Sequence, residues 1–75
     1  MIALDMFEIE NRIRERLADA IITSGMSLTE IARKVGVSIA TIGYYKSKEK
    51  LPTVPTLAVL CKVLDISSDE LLGLR

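Results

Sequence analysis

The sequence predicts an all-α fold, a single compact domain of five short helices. Apolar residues recur at helical spacing in five successive segments of the 75-residue chain. A serine or threonine able to cap a helix stands before four of those segments. No strand pattern longer than a few residues occurs between them, and a chain of this length has room for one core.

The first predicted helix begins at residue 5 or 6 and ends at Thr23. Its main apolar residues stand four apart: Ile9, Ile13, Leu17 and Ile21. An i, i+4 row of this kind is typical of a helix that buries one side. The row therefore predicts an amphipathic helix with one apolar side.

The second and third helices form the most informative segment of the chain. They are predicted at 28–35 and 39–47, on either side of Gly36, and Ser27 and Ser38 can cap them. Glycine adopts the left-handed conformation that ends a helix without a steric penalty. Two short helices joined by such a turn are the arrangement that lays the second helix in the major groove of DNA.

Two further helices complete the prediction. The fourth is expected at 54–64 with Thr53 as its cap, and the fifth is brief and opens on a capping box made by Ser67 and Glu70. Cys61 lies on the fourth helix and is the chain's single cysteine. It has no disulfide partner in the chain and no metal-ligand spacing, so we interpret it as buried apolar filler.

Charge is distributed unevenly along the chain. Ten basic and ten acidic residues give a net charge of zero. Residues 33–50 contain five basic residues and one acid, so that segment carries +4 and the rest of the chain −4. The basic segment includes the turn and the loop after the third helix, where the phosphates of a docked duplex would lie. We interpret it as a contact surface for nucleic acid.

The stretch IARKVGVSIATI, residues 31–42, resembles a known pattern. Lambda-repressor and Cro-like helix-turn-helix proteins, also called the XRE type, carry a motif like LAxxxGVSxxTI, then a proline, a Leu-rich helix and a pattern like SxDELL. The stretch LPTVPTLAVLCKVLDISSDELLG, residues 51–73, follows that order in register. The resemblance covers roughly residues 16–72. It implies a lambda-repressor-like core at 16–73, with residues 1–15 as an N-terminal extension of the first helix.

This resemblance, together with the helix-turn-helix geometry, identifies candidate contacts to double-stranded DNA. The third helix would enter the major groove and present six residues to bases or groove walls: Ser38, Ile39, Ala40, Thr41, Gly43 and Tyr44. Five residues would contact phosphates, through lysine charge or the amides that begin the second helix: Ser27, Leu28, Lys46, Lys48 and Lys50. For Thr41, a capping or packing role is equally open.

The candidate reading helix departs from the family pattern. The family often has Gln where this chain has Leu28, which leaves only a backbone amide to hold a phosphate. It often has Arg, Gln or Asn where this chain has Ile39, Ala40 and Gly43, and those polar residues are the ones that bind G or A bidentately. Because apolar side chains can contact the thymine methyl group, we expect a weakly specific, A·T-rich site read partly through DNA shape.

A second departure concerns an ion pair. Family members often join the first helix to the end of the third by an Arg–Glu pair, and the matching positions here hold Ile21 and Lys46. Because both partners are replaced, no charge is stranded and the fold is not expected to suffer. Lys46 instead adds a positive charge beside the DNA.

A homodimer is expected, because symmetric dimers suit palindromic operators whose half-sites lie about 34 Å apart. Two apolar surfaces could form the contact, and the sequence does not choose between them. One is the N-terminal extension, with Ile2, Leu4, Met6, Phe7 and Ile9; the other is C-terminal, with Leu71, Leu72 and Leu74.

The predicted function is a transcriptional regulator, a repressor of phage or mobile-element type that occupies an operator. Two alternatives stay open: a protein-interaction module on the same fold, and the DNA-binding antitoxin of a toxin–antitoxin pair. No enzyme, cofactor or small-molecule ligand is expected, because the chain has no histidine, no Gly-rich phosphate loop and no metal-ligand cluster. The start, MIALDMF, lacks a basic leader, and no apolar run could span a membrane, so we expect a cytoplasmic, nucleoid-associated protein.

Overall fold

The computed structural model describes residues 5–74, which form five helices and, within that range, no strand. The helices are α1 (Met6–Thr23), α2 (Leu28–Val35), α3 (Ile39–Lys46), α4 (Val54–Leu64) and α5 (Ser68–Leu72). The five predicted helices are confirmed, and only α3 ends a residue earlier than expected, with Ser47 as its C-cap. The apolar residues Ile2 and Leu4 lie outside the described residues.

Side-chain caps begin four of the helices. The Asp5 carboxylate accepts the amide of Glu8 at 2.8 Å, and three serine hydroxyls accept the amide three residues on at 3.0–3.1 Å: Ser27, Ser38 and Ser67. Each such cap contributes about 1 kcal/mol. The prediction for Thr53 is wrong in its chemistry. Thr53 holds the N-cap position of α4, but its hydroxyl donates to the Thr56 hydroxyl at 3.1 Å and caps no amide.

The core lies where α2 packs on α3 and α4 and where α1 packs on α3 and α5. Its largest fully buried side chains come from all five helices: Leu17, Ile21, Ile31, Ile42, Leu60 and Leu71. Cys61 is buried beside them as predicted, and its burial raises the pKa of the thiol. The core therefore clamps α3 between α1 and α2 and fixes which side of α3 faces outward.

The first half of α1 does not join this core. Leu17 and Ile21 are buried, but Ile9 and Ile13 are only half-buried and stand outside the core cluster. The i, i+4 row is therefore buried in the core only in its second half, because the other described helices reach only that part of α1. The Cα positions extend over 42 × 21 × 21 Å, as expected when one helix runs past the body of the domain.

Among the described residues, no helix is long and apolar enough to cross a bilayer.

Candidate nucleic-acid interface

The turn between α2 and α3 is built on Gly36, whose φ of 89° is left-handed. Its amide donates to the carbonyl of Ala32 at 2.8 Å, and the amide of Val37 donates to the same oxygen at 3.1 Å. A side chain at this φ would clash with the backbone, so the turn requires glycine. The turn brings Val37 onto the core and starts α3 at Ser38.

The two sides of α3 have opposite roles. Ile42 is 0% exposed and Tyr45 is 7% exposed, and burial raises the pKa of the Tyr45 phenol, so these residues anchor the helix. On the other side Ile39 is 50% exposed, Tyr44 is 39% exposed and Ala40 is exposed. Five of the six predicted groove-facing residues therefore share one outward surface, which we call the α3 face: Ser38, Ile39, Ala40, Gly43 and Tyr44. The sixth, Thr41, is half-buried.

Ser38 and Thr41 bond to each other at the start of α3. Their hydroxyl oxygens are 2.8 Å apart, and Ser38 Oγ also accepts the Thr41 amide at 3.1 Å. When Thr41 donates its hydroxyl hydrogen to Ser38, both acceptor lone pairs of Ser38 are occupied and its own hydrogen is free to donate. This geometry suits Ser38 to a phosphate or base acceptor and lets the Thr41 hydroxyl support the Ser38 cap, while a DNA contact by Thr41 stays a prediction.

Gly43 has a different setting from Gly36. It lies inside α3 without a left-handed φ, and a Cβ built there meets no atom within 4 Å. Neither the backbone nor the packing of the described chain requires glycine at this position. A glycine inside a helix lowers its stability by about 1 kcal/mol relative to alanine. The residue leaves a shallow, backbone-lined patch in the middle of the α3 face.

Three of the predicted phosphate contacts meet in one cleft. Ser27 and Leu28 at the start of α2 and Lys46 at the end of α3 line an open cleft of about 430 Å³. Its remaining wall is apolar: Ile21, Ile22 and Met26. Ile21 and Lys46, the positions of the missing ion pair, thus lie together as the resemblance implied. The sequence analysis did not include Ile22 and Met26 in this site. Ile22 stands off the i, i+4 row in the last turn of α1, and an isoleucine at such a position was a signal.

The start of α2 adds backbone donors to this cleft. The Ser27 hydroxyl takes the amide of Glu30, while the amides of the first two helical residues have no partner within the helix. Glu30 is an acid in the same first turn, and the Lys34 ammonium holds its carboxylate at 3.4 Å. That ion pair partly neutralises Glu30 and also engages one of the five basic residues of segment 33–50.

Lys48 and Lys50 belong to the loop that closes α3. The amides of Glu49 and Lys50 both donate to the carbonyl of Tyr44, at 2.9 and 3.4 Å, and fold the loop back onto the helix. The Lys50 ammonium lies 4.3 Å from the centre of the Tyr44 ring, a cation–π contact that joins a phosphate candidate to a groove candidate. Lys48 has a left-handed φ of 70°, which is unusual for a side chain other than glycine or asparagine.

Within residues 5–74, the three lysines at the end of α3 form no ion pair. Lys46 stands beside the start of α2 and Lys50 stands over Tyr44, so cations adjoin the α3 face at two places. An apolar strip bordered by free cations and helix amides is complementary to a groove edged by phosphates.

Comparison with known proteins agrees with this geometry. Residues 17–71 match the helix-turn-helix family. The chain belongs to the XRE-type helix-turn-helix family. The matched range starts at the first core residue of α1 and ends in α5, so the family core coincides with the packed part of this helix-turn-helix protein and leaves the first half of α1 outside it.

Two relatives are regulators by name. The chain is 36% identical over 62 residues to the cryptic phage CTXphi transcriptional repressor RstR of Vibrio cholerae, covering 83% of this chain and 55% of that protein. It is 31% identical over 49 residues to the uncharacterised HTH-type transcriptional regulator YobD of Bacillus subtilis, covering 65% and 44%. The chain thus spans about half the length of these curated relatives. No solved structure matches it.

Proposed function

We propose that this helix-turn-helix protein is a DNA-binding transcriptional regulator, a repressor of phage or mobile-element type. It binds an operator as a homodimer, with α3 in the major groove of each half-site, and represses by occupying the site. Membership of the family supports DNA binding, and the likeness to a named phage repressor supports the type. Bound to DNA, it would be associated with the nucleoid.

The observation that carries the proposal is that two residues do not suit the backbone conformation at their positions. Gly43 stands inside a helix that would be more stable with alanine, and Lys48 stands at a left-handed position where glycine would be less strained. Both residues lie on or beside the α3 face. Residues that break local rules in this way concentrate at functional sites. A close backbone approach at Gly43 and a positive charge at Lys48 are what a DNA groove would require.

Affinity in this proposal comes mainly from the phosphate backbone. Lys46, Lys48 and Lys50 displace condensed counterions, and the α2 amides with Ser27 and Leu28 hold one phosphate in the cleft. About three lysine contacts give a slope of log affinity against log salt of roughly −2.7 for each protomer. Binding by this route is strongly salt-dependent and independent of sequence.

Specificity comes from the α3 face. Ile39 and Ala40 offer methyl groups at the groove-facing end of α3, where a thymine methyl is the apolar partner that B-DNA provides. Ser38 supplies a hydroxyl donor and Tyr44 a phenol held in place by Lys50. We infer an A·T-rich half-site with few bidentate contacts and modest discrimination between sequences.

The test is selection of bound duplexes from a randomised DNA pool, at about 50 and 200 mM salt. Enrichment of a two-fold symmetric, A·T-rich sequence supports the proposal and measures the half-site spacing. Strong binding at low salt that enriches no sequence contradicts an operator reader, and the absence of binding at both salts contradicts DNA binding. Lys48→Gln should weaken binding to the selected duplex, while the matched neutralisation Lys62→Gln, on exposed α4 surface, should not.

One observation favours a second candidate function. The α3 face exposes Ile39 and carries none of the amide or guanidinium groups that read bases best. A protein-interaction module would use such an apolar face directly. It would bind its partner with little dependence on salt, and Lys48→Gln would leave that binding unchanged.

A further inference from the structure

The first half of α1 carries an apolar stripe that the described chain leaves partly uncovered. Met6, Ile9 and Ile13 stand at i, i+3 and i+7, on the same side of the helix as the core residue Leu17. Met6 is 69% exposed, Ile9 and Ile13 are half-buried, and none of the three joins the core cluster of residues 5–74. About 16 Å of α1, from Met6 up to Leu17, thus runs past the core, and we call this part of the helix the overhang.

The end of the chain lies next to this overhang. Gly73 lies directly against the Arg16 guanidinium, so that a Cβ on Gly73 would collide with it. Leu74, the following residue, is 71% exposed. Of the C-terminal residues that the sequence offered to a second copy, Leu71 is 2% exposed in the core and Leu72 is half-buried, so that surface is not formed as predicted and only Leu74 is exposed.

The charges of the overhang are sorted along its length. Its first two turns carry the acids Asp5, Glu8 and Glu10, and the next turns carry the bases Arg12, Arg14 and Arg16 together with one acid, Glu15, on the side of the helix away from the stripe. Glu10 and Arg14 already pair at 3.6 Å within the helix. A second copy laid antiparallel across this helix would set the acids of each copy opposite the bases of the other. A parallel copy would set acids against acids.

Register follows from the same pattern. When two antiparallel α1 helices cross near Asn11, Ile9 of one copy lies opposite Ile13 of the other, and Glu10 lies within one turn of the other copy's Arg12 and Arg14. The same crossing point therefore brings the two apolar stripes into contact and places opposite charges beside each other. Such self-complementarity is what an isologous two-fold interface requires.

We propose that the first half of α1 is the homodimer interface, pairing antiparallel with the same helix of a second copy. Covering the stripe also stabilises the overhang, because a helical segment this short is marginal in water by itself. The proposal deepens the proposed function by assigning the surface that joins two DNA-reading domains. The pairing itself requires no DNA.

The association is tested on the full chain without DNA, by sedimentation equilibrium from about 5 to 500 μM. The stripe is small for a specific interface, so we expect a dimer that dissociates at micromolar concentration. Ile9→Glu should shift the dissociation midpoint at least tenfold upward. Val54→Glu, which places the same charge on a 79% exposed valine of α4, should leave the midpoint unchanged. Circular dichroism at the lowest concentration confirms that each variant is folded.

Charge exchange tests whether the charges beside the stripe lie in the interface and does not rely on loss of association alone. Glu8→Arg/Glu10→Arg makes the overhang basic, and Arg12→Glu/Arg14→Glu makes it acidic. Each variant alone should be monomeric, and an equimolar mixture should form a heterodimer. A wild-type chain that stays monomeric at the highest concentration overturns the proposal, and so do charge variants that self-associate as the wild type does. Dimers that survive Ile9→Glu also overturn it and point to another surface.

Binding to a duplex with a single half-site separates this inference from the proposed function. Ile9 lies outside the DNA-contacting set, so Ile9→Glu should bind the half-site as the wild type does and lose only cooperative binding to the two-fold symmetric duplex. If neither protein binds any duplex, DNA reading is wrong while the α1 dimer stands. If both bind the symmetric duplex with equal cooperativity, the α1 dimer is wrong while DNA reading stands.

Discussion

The substitution Gly43→Ala should make the protein more stable and a poorer DNA binder. Gly43 is helical and open space surrounds its missing side chain, so an added methyl group meets no atom within 4 Å. Alanine is favoured over glycine in a helix by about 0.8–1.0 kcal/mol. For a domain of this size, 1 kcal/mol raises the unfolding midpoint by about 4–8 °C. A rise of that size in thermal circular dichroism is the first expected result.

The expected loss of DNA affinity follows from the position of Gly43 on the α3 face. If the α3 backbone approaches the groove at this point, a methyl group must displace the helix or overpack the contact. Overpacking typically costs about 1–3 kcal/mol, so we expect binding to be weakened roughly tenfold or more. Fluorescence anisotropy with the selected duplex measures this loss. An unchanged affinity would refute the close approach.

Gly36→Ala is the matched control, because the same methyl group also meets open space there. Its φ of 89° makes the outcome opposite: alanine is strained by about 1–2 kcal/mol and the unfolding midpoint should fall. If the two substitutions change the unfolding midpoint in the same direction, the backbone conformation is not what distinguishes the two glycines. A lower midpoint for Gly43→Ala would refute the free-space argument itself.

Three further predictions concern the border of the interface and the core. Lys48→Gly should relieve the strain of the left-handed backbone and raise stability, yet weaken DNA binding. It should also reduce the slope of log affinity against log salt by about one, which anisotropy titrations over a salt series would measure. An unchanged slope would contradict the phosphate contact. Leu28→Gln should tighten DNA binding by adding a hydrogen-bond donor for a phosphate, although it gives up the packing of Leu28 on the core. A loss of both affinity and stability would show that the cleft does not bind phosphate. Burial raises the pKa of Tyr45 above its ordinary 10.0, so the unfolded chain ionises first and stability should fall as pH rises above about 10. Tyr45→Phe should remove part of this loss of stability, as measured by thermal unfolding between pH 9 and 11. An equal loss in both proteins would show that Tyr45 does not cause it.

Local chemistry explains why so much of the fold could be predicted. A serine cap acts on the amide three residues on, and a left-handed glycine ends the helix that precedes it, so Ser27, Gly36 and Ser38 define the helix-turn-helix from neighbours in the sequence. Ile42 and Tyr45, three residues apart, likewise share one side of α3, as helical spacing requires, and that side is buried. These predictions needed no knowledge of what packs against what.

Packing decided two outcomes that the sequence left open or predicted wrongly. Ile9 and Ile13 continue the periodic row of α1, and only the extent of the neighbouring helices determines that the core stops at Leu17. Thr53 has the residue type and position of a cap, but its hydroxyl is directed to Thr56 instead. Neither outcome is visible in the spacing of residues along the chain.

The sequence by itself determined the five helices, the turn and the α3 face, because each depends on residues within about one helical turn of one another. The tertiary structure alone decided which distant groups meet. It brought Lys46 to the start of α2 at Ser27 and Leu28, and it set Gly73 against Arg16 at the base of the overhang. Such contacts join groups from different helices, so they are fixed by how the helices pack around one core and not by any local preference of the chain.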